Sequence, residues 1–528
     1  MANTLSLGSG NWGAKESLLL GYYENGGKFF PETFDVTRAT SGTRVNKAGL
    51  IETPTEILSG DLVINGDFDT DSDWILDSGW SISSGKASCN GITGYITEAN
   101  ATLSAGKSYK MTYTVTDYTS GSVRIRCGGT SGTFRTSVGT YTEVLLYSGS
   151  TFKTNLYSSS FIGSIDNVSV IEVNQDNLAR IDYLDDAKGA LLTEPQSTNL
   201  IPYSEDFSNG SWNKQSGIIP TYNTTETLSP DGTYNATKFV GNGTTGVFKS
   251  GVSVSGNISR SVYLKSVSGN TTAIFKDPNA EGGATPVNLT ITNEWQRFEL
   301  IGDNGTSAQG LWIDDITSDG LYMWGAQLEG ENAVGYNGEY ATSYIPTFNG
   351  IVSRNKDEVT NGGDVNSFGS EGVLYAEIAA LANDGTYRIF SINDGSRNNR
   401  VYLQYIDTSN TLGAVVKSSN TTQANMTFVL ADETNFVKVG FKYKANDFAL
   451  WVNGVEVATD TSGLSPIGLN NLAFNDGESN DFFGKTKNIQ AFNTALSDSD
   501  LLSLTTTGSV PYWTQYSAMA TTLNYTNK

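Results

Sequence analysis

Two stretches of this chain repeat one another, and that repeat limits what it can fold into. Val63–Trp80 reads VINGDFDTDSDWILDSGW, and Leu192–Trp212 ends in NLIPYSEDFSNGSW. In each, an apolar run gives way to an Asp-Phe pair, Asp67-Phe68 or Asp206-Phe207, followed by Trp74 or Trp212. A Ser-Gly pair stands at the same interval after each tryptophan, Ser78-Gly79 and Ser216-Gly217. The closing stretches compare too: GSIDNVSVIEV before Asn174 and GLYMWGAQLEG before Glu331, each a short alternating strand entered through glycine. One module used twice accounts for this, so two related units are expected, roughly 60–173 and 199–350.

Between opener and closer the chain alternates with period two. YKMTYTVTDY (Tyr109–Tyr118), YTEVLLYSG (Tyr141–Gly149) and ISRSVYLKSVSG (Ile258–Gly269) are examples, punctuated by glycine and serine. With 57 glycines in 528 residues and only 17% charged residues, the profile is all-β. The expected architecture is tandem antiparallel β-sandwiches: two jelly rolls, a third sandwich over 367–508, and a small N-terminal β domain. In the third sandwich Asn453-Gly454 lies between alternating FALWV and VEVA, a tight-hairpin signal because both turn positions need positive φ. The segment Phe34–Glu52 looks unfinished, and NLARIDYLDDAKGALLTEPQSTNL (Asn177–Leu200) continues it. The N-terminal domain is therefore read as 1–57 with 174–198, split by the inserted unit 60–173. Residues 351–366 read as a linker. In the tail, 509–528, Tyr516, Met519, Ala520 and Leu523 stand at helical spacing and predict a short helix.

Composition excludes several functions. A net charge of −22 without clustered Lys or Arg argues against nucleic acid. No run approaches the roughly 20 apolar residues of a membrane helix. The N-terminus lacks the basic head and apolar run of a signal peptide, so the protein is expected either in the cytoplasm or to leave the cell without a Sec signal. There is no histidine, which removes Ser-His-Asp catalysis and His-ligated zinc. Among 55 acids no pair singles itself out as a glycosidase pair, so no catalytic residue is assigned and the chain is read as non-enzymatic. Cys89 and Cys127 are compatible with a disulfide or with two thiols. The run Asp67, Asp69, Asp71, Asp73 starts like a calcium loop, but Trp74 and Trp80 stand where glycine and glutamate belong. Aromatic side chains remain. Trp80, Tyr95 and Tyr141 are candidates for a sugar-stacking platform in the first unit. Trp74 and Trp212 read as structural, and Trp295, Trp324 and Trp451 as core.

The opener NGDFDTDSDW, the late EWQRF and the closing IDNVSV resemble carbohydrate-binding jelly rolls of the CBM4/9 type. The third unit, through WVNG and AFNTALSDSDL, resembles concanavalin A/laminin-G-like sandwiches. TRATSGTRVNKAGLIE, GALLTEPQSTNLIPYSEDFS, ATSYIPT and YSAMATTLNY resemble segments that surround such modules in multi-modular structural proteins of tailed bacteriophages. This likeness implies a virion structural protein, a tail or head fibre or surface appendage. Its expected partners are host surface glycans, for attachment, and other virion proteins. It is also expected to be a homotrimer, made in the host cytoplasm without a signal peptide and located in the virion. The crowding of large apolar groups in 1–57 and the aromatic tail add to the oligomer expectation. The jelly-roll likeness further implies a structural calcium ion held near Asp67 and Asp166. The second repeat has no acid at the latter place. Two alternatives are a purely structural decoration or connector of the virion, and a secreted bacterial glycan-active enzyme or adhesin.

Overall fold

Every alternating run quoted above is a strand, and the sheets are antiparallel throughout. The computed structural model describes residues 4–10, 12–15, 17–25, 28–149, 154–278, 284–303, 309–332, 335–362, 368–507 and 526–527. The predicted tail helix lies outside them. Two compact units are present: residues 55–175, and residues 1–54 together with 176–528. No helix among the described residues is long and apolar enough to cross a membrane.

The unit 55–175 is built on two long strands, Ser108–Cys127 and Thr154–Asn174, paired along their length. Register shifts fall between Thr112/Thr114, Val115/Asp117, Tyr118/Ser120 and Ser120/Ser122. Such bulges bend a strand, so each half serves a different layer of the sandwich. Glu56–Asp61 and Gly139–Leu146 extend one layer; Trp74–Leu76 and Gly94–Glu98 extend the other. At the bend Gly121 has φ +75°, and a Cβ there would lie 1.9 Å from the Ser160 carbonyl oxygen. Tyr109, Met111, Ile125, Leu156 and Ile165 fill the core. Cys89 and Cys127 are both buried free thiols, and burial pushes the Cys127 thiol up to about 12.

In the second unit, residues 199–350 form the other jelly roll. One five-stranded sheet runs Asn213–Lys214, Val247–Val252, Gln309–Asp314, Thr271–Lys276, Val287–Ile291. The other runs Ile219–Thr221, Thr237–Val240, Leu321–Gly330, Asn257–Ser266, Gln296–Asp303. The repeated openers fold alike. Trp74 Nε1 donates to the Asn65 carbonyl (2.9 Å), and Trp212 Nε1 to the Tyr203 carbonyl (3.0 Å), nine residues back in both cases. Phe68 and Phe207 pack on these indoles at 5.0 and 4.8 Å.

The third sandwich differs from expectation. Its larger sheet takes in the N-terminal strands: Thr4–Gly8 pairs with Gly484–Phe492, and Leu18–Asn25 and Lys28–Thr37 continue outward. Leu5, Trp12 and Phe34 share one core with Leu374, Phe390 and Phe441. Residues 1–57 with 174–198 are thus not a domain of their own, and Leu5, Leu7, Trp12, Leu19, Leu20, Tyr22 and Phe34 are buried within the chain, while Phe30 and Ile57 are exposed. The Asn453-Gly454 turn has φ of +47° and +83°, as the hairpin requires. A helix, Asp498–Thr505, follows the last long strand. Ser497 caps it by accepting from the Asp500 N–H (3.3 Å), and Leu501 packs with Val373, Ala449 and Trp451.

Residues 351–366, expected as a linker, are largely built into the fold. Val352–Arg354 pairs with Ser197–Asn199, and Glu358–Thr360 with the strand Lys28–Thr37. Between these pairings lies a buried charge cluster. Arg180 binds Glu194 (2.6 Å) and Asp357; Arg354 binds Glu194 (2.7 Å); Arg38 binds Asp357 (2.8 Å). Ser343 donates to Glu194 from N–H and hydroxyl, both at 2.7 Å. All five charged side chains are buried. Burial alone would raise the two carboxyls. Arg354 and Arg180 overcome it at Glu194, and Arg180, Arg38 and Arg354 at Asp357, so both lie below the usual range.

A carboxyl depressed in the folded state stabilises above its unfolded pKa, and that stability disappears as pH falls through the folded value. Glu433 has the opposite sign. Burial pushes its carboxyl up to about 7, so its contribution is lost as pH rises toward 7. Thermal midpoints measured from acid to neutral pH should therefore peak at about pH 5 and fall steeply below about pH 4.

Candidate functional site

The sequence candidates do not come together. Trp80 is 5% exposed and packs in the core against Phe161 at 6.3 Å, so it offers no face to a ligand. Tyr141 stands opposite the buried Tyr113 on the core side of its strand, with Arg135 over its ring at 4.7 Å. Its hydroxyl donates to the Ser137 carbonyl at 2.9 Å. Asp67 is exposed. Asp166 is half-buried and accepts from the Asn167 N–H at 2.6 Å. Their neighbours Gly66 and Val168 are joined by a 2.8 Å backbone bond. Calcium takes about six to eight oxygens. No cluster of three or more acid, Cys or His side chains fit for a metal occurs among the described residues, so carbonyl oxygens or water would have to complete any set begun by Asp67 and Asp166.

Tyr95 faces the other way. It alternates with buried Ile96, so it lies on the side of the sheet turned from the core. Across the sheet it stands opposite Tyr157, and Tyr157 stands opposite Arg124. The rings of Tyr95 and Tyr157 are 4.9 Å apart at 43°. The Arg124 guanidinium lies 5.4 Å from the Tyr157 ring and 4.2 Å from that of Phe134, which is 39% exposed. Arg126, two residues on, reaches across the intervening strand and donates to the Tyr95 hydroxyl at 2.9 Å. Three strands thus present a row: aromatic, aromatic, cation.

The second jelly roll has its own row. Phe248 stands opposite Trp312, and Trp312 opposite Lys276, again on three adjacent strands. Their neighbours Val247, Ile313 and Phe275 are core residues, so this row also faces away from the core. Phe248 and Trp312 are 5.2 Å apart at 41°, and Lys276 Nζ lies 3.9 Å from the Trp312 ring. Gly246 makes room for the indole: a Cβ there would lie 2.6 Å from Trp312 Nε1. Both jelly rolls carry the same row.

Of these residues the sequence reading singled out only Tyr95. Tyr157, Phe248 and Trp312 are legible in principle, as aromatic residues on the outward phase of alternating strands, whereas Phe134 lies between strands and carries no such signal. Flat rings flanked by fixed cations suit a ligand with an apolar C–H face and a hydroxyl rim.

No family model matches the chain, and no curated protein matches it. Solved structures match only slightly. One is the CBM40 of the Ruminococcus gnavus IT-sialidase bound to alpha2,3 sialyllactose. It aligns with TM-score 0.22 and 16% identity over 26% of this chain and 82% of that one. Another is the CBM22-1-CBM22-2 tandem domain of Paenibacillus barcinonensis Xyn10C, with TM-score 0.21 and 11% identity over 52% and 98%. Likeness of this degree carries no argument, and the two rows stand on their own geometry.

Proposed function

We propose that this chain is a saccharide-binding appendage protein whose two jelly rolls each hold sugar on their aromatic–aromatic–cation row. The observation that carries this reading is the recurrence of the row at matching register: Tyr95, Tyr157, Arg124 in one module and Phe248, Trp312, Lys276 in the other. Packing of the cores does not call for aromatic rings on outward positions. Sugar rings stack on such faces, and guanidinium or ammonium groups donate to their hydroxyls. The reading assigns binding and no catalysis.

The place we propose is a bacteriophage particle, as a tail or head fibre that meets host surface glycans. The support is the sequence resemblance of Thr37–Glu52, Gly189–Ser208, Ala341–Thr347 and Tyr516–Tyr525 to segments of such proteins. A homotrimer would carry six rows, and weak sites would then add through effective concentration. Sedimentation of the full chain should give a trimer; a monomer at micromolar concentration would count against that part. A glycan array probed with the full chain tests the binding itself. Retention on a defined set of saccharides is expected, and retention on none would leave a structural connector role.

A further inference from the structure

The two rows differ in charge. Lys276 is neutralised by Asp314 at 2.5 Å. Arg124 and Arg126 have no carboxylate partner among the described residues. Arg124 lies over two rings, and Arg126 donates to the Tyr95 hydroxyl and to Ser131 Oγ (3.2 Å). Acids on adjoining segments are engaged elsewhere. Asp77 accepts from the Tyr95 N–H at 2.7 Å, and Glu143 pairs with Arg135 at 2.9 Å. Burial, and after it the charge of Arg126, lower the pKa of Arg124. Two unpaired like charges on one strand face are notable in a chain with 55 acids and 33 bases.

A second observation points to the same place. Asn155 stands opposite both Thr97 and Arg126, on the face that carries Tyr95 and Tyr157. It is 1% exposed, and neither its Nδ2 nor its Oδ1 has a hydrogen-bond partner. A buried amide left unpaired is costly. Arg126 stands opposite Asn155 and bridges to Tyr95 across the strand that carries it.

We infer that the row of the first jelly roll takes an acidic saccharide, with its ring on Tyr95 and Tyr157 and its anionic group between Arg124 and Arg126. Displaced from Tyr95, Arg126 pairs with the anion, and the Asn155 amide receives a hydroxyl. The inference rests on the saccharide reading of the rows and adds the charge class of one ligand. Guanidinium groups bind carboxylate and sulfate alike, so the test includes both.

The experiment uses the full chain carrying Trp312→Ala, which leaves the first row alone. It is titrated with uronic-acid, sialylated and sulfated oligosaccharides, each beside its carboxyl-reduced or desulfated counterpart. The acidic member of at least one pair should bind about tenfold more tightly, and less so at high salt. Arg124→Gln with Arg126→Gln should remove the preference. Arg126→Lys, which keeps the charge, should retain part of it with the melting midpoint unchanged. Equal or reversed preference in every pair would overturn the acidic-ligand inference and leave the saccharide reading standing. Binding to no member of any pair, by this variant and by the parent chain, would remove both.

Discussion

Arg180→Met should destabilise the unit formed by 1–54 and 176–528 by about 3–5 kcal/mol, the cost of breaking a buried ion pair from one side. Arg180 is fully buried and joins Glu194 to Asp357. Methionine approximates its length and fills the space, so lost volume is not the main effect. What remains is two buried carboxylates that must share Arg38 and Arg354, which bind one each. Removal of the surface pair Lys444–Glu371, in the same unit, is the matching control, and it should leave the denaturation midpoint where it was. The comparison requires only urea denaturation of both variants beside the parent. A midpoint for Arg180→Met within error of the parent would show that the cluster contributes little.

That cluster also explains why parts of the fold were legible in the sequence and others were not. Alternation marked the strands, and the two openers marked the jelly rolls, because both signals are local. The partner of a strand is not a local property. Leu5 and Leu7 announce a strand with one buried face, yet they pair opposite Ala491 and Ile489 at the far end of the chain. The same limit applied to 351–366. VSRNKDEV reads as polar and irregular, and only the fold brings Arg354 and Asp357 against Arg180 and Glu194. At the site, Trp80 is a candidate because its flat ring could stack on a sugar, but its burial depends on which sheet face it takes. Trp312 sits in GLWID between two core residues, Leu311 and Ile313, which assigns it to the outward phase. Comparison of NLYSS with GLWID across the two repeats would have found it. The helix Asp498–Thr505 spans only eight residues, too few for helical periodicity to register.

Tyr157→Ala and Trp312→Ala should each abolish one binding row. Each removes the central ring of its row and leaves the core-facing neighbours Leu156, Leu311 and Ile313 in place. Loss of a central aromatic anchor typically costs about 2 kcal/mol or more, roughly a thirtyfold weakening at that row. Trp80→Phe behaves differently. It trims a buried side chain, so its expected effect is on stability, with saccharide affinity unchanged.

The central claim is that each chain carries two independent saccharide rows. Calorimetric titration of the full chain with saccharides retained on a glycan array measures this most directly, through the number of sites per chain. The account predicts two sites in the parent, one in either single variant and none in the double variant Tyr157→Ala with Trp312→Ala. A double variant that binds with the parent's stoichiometry and affinity would contradict it.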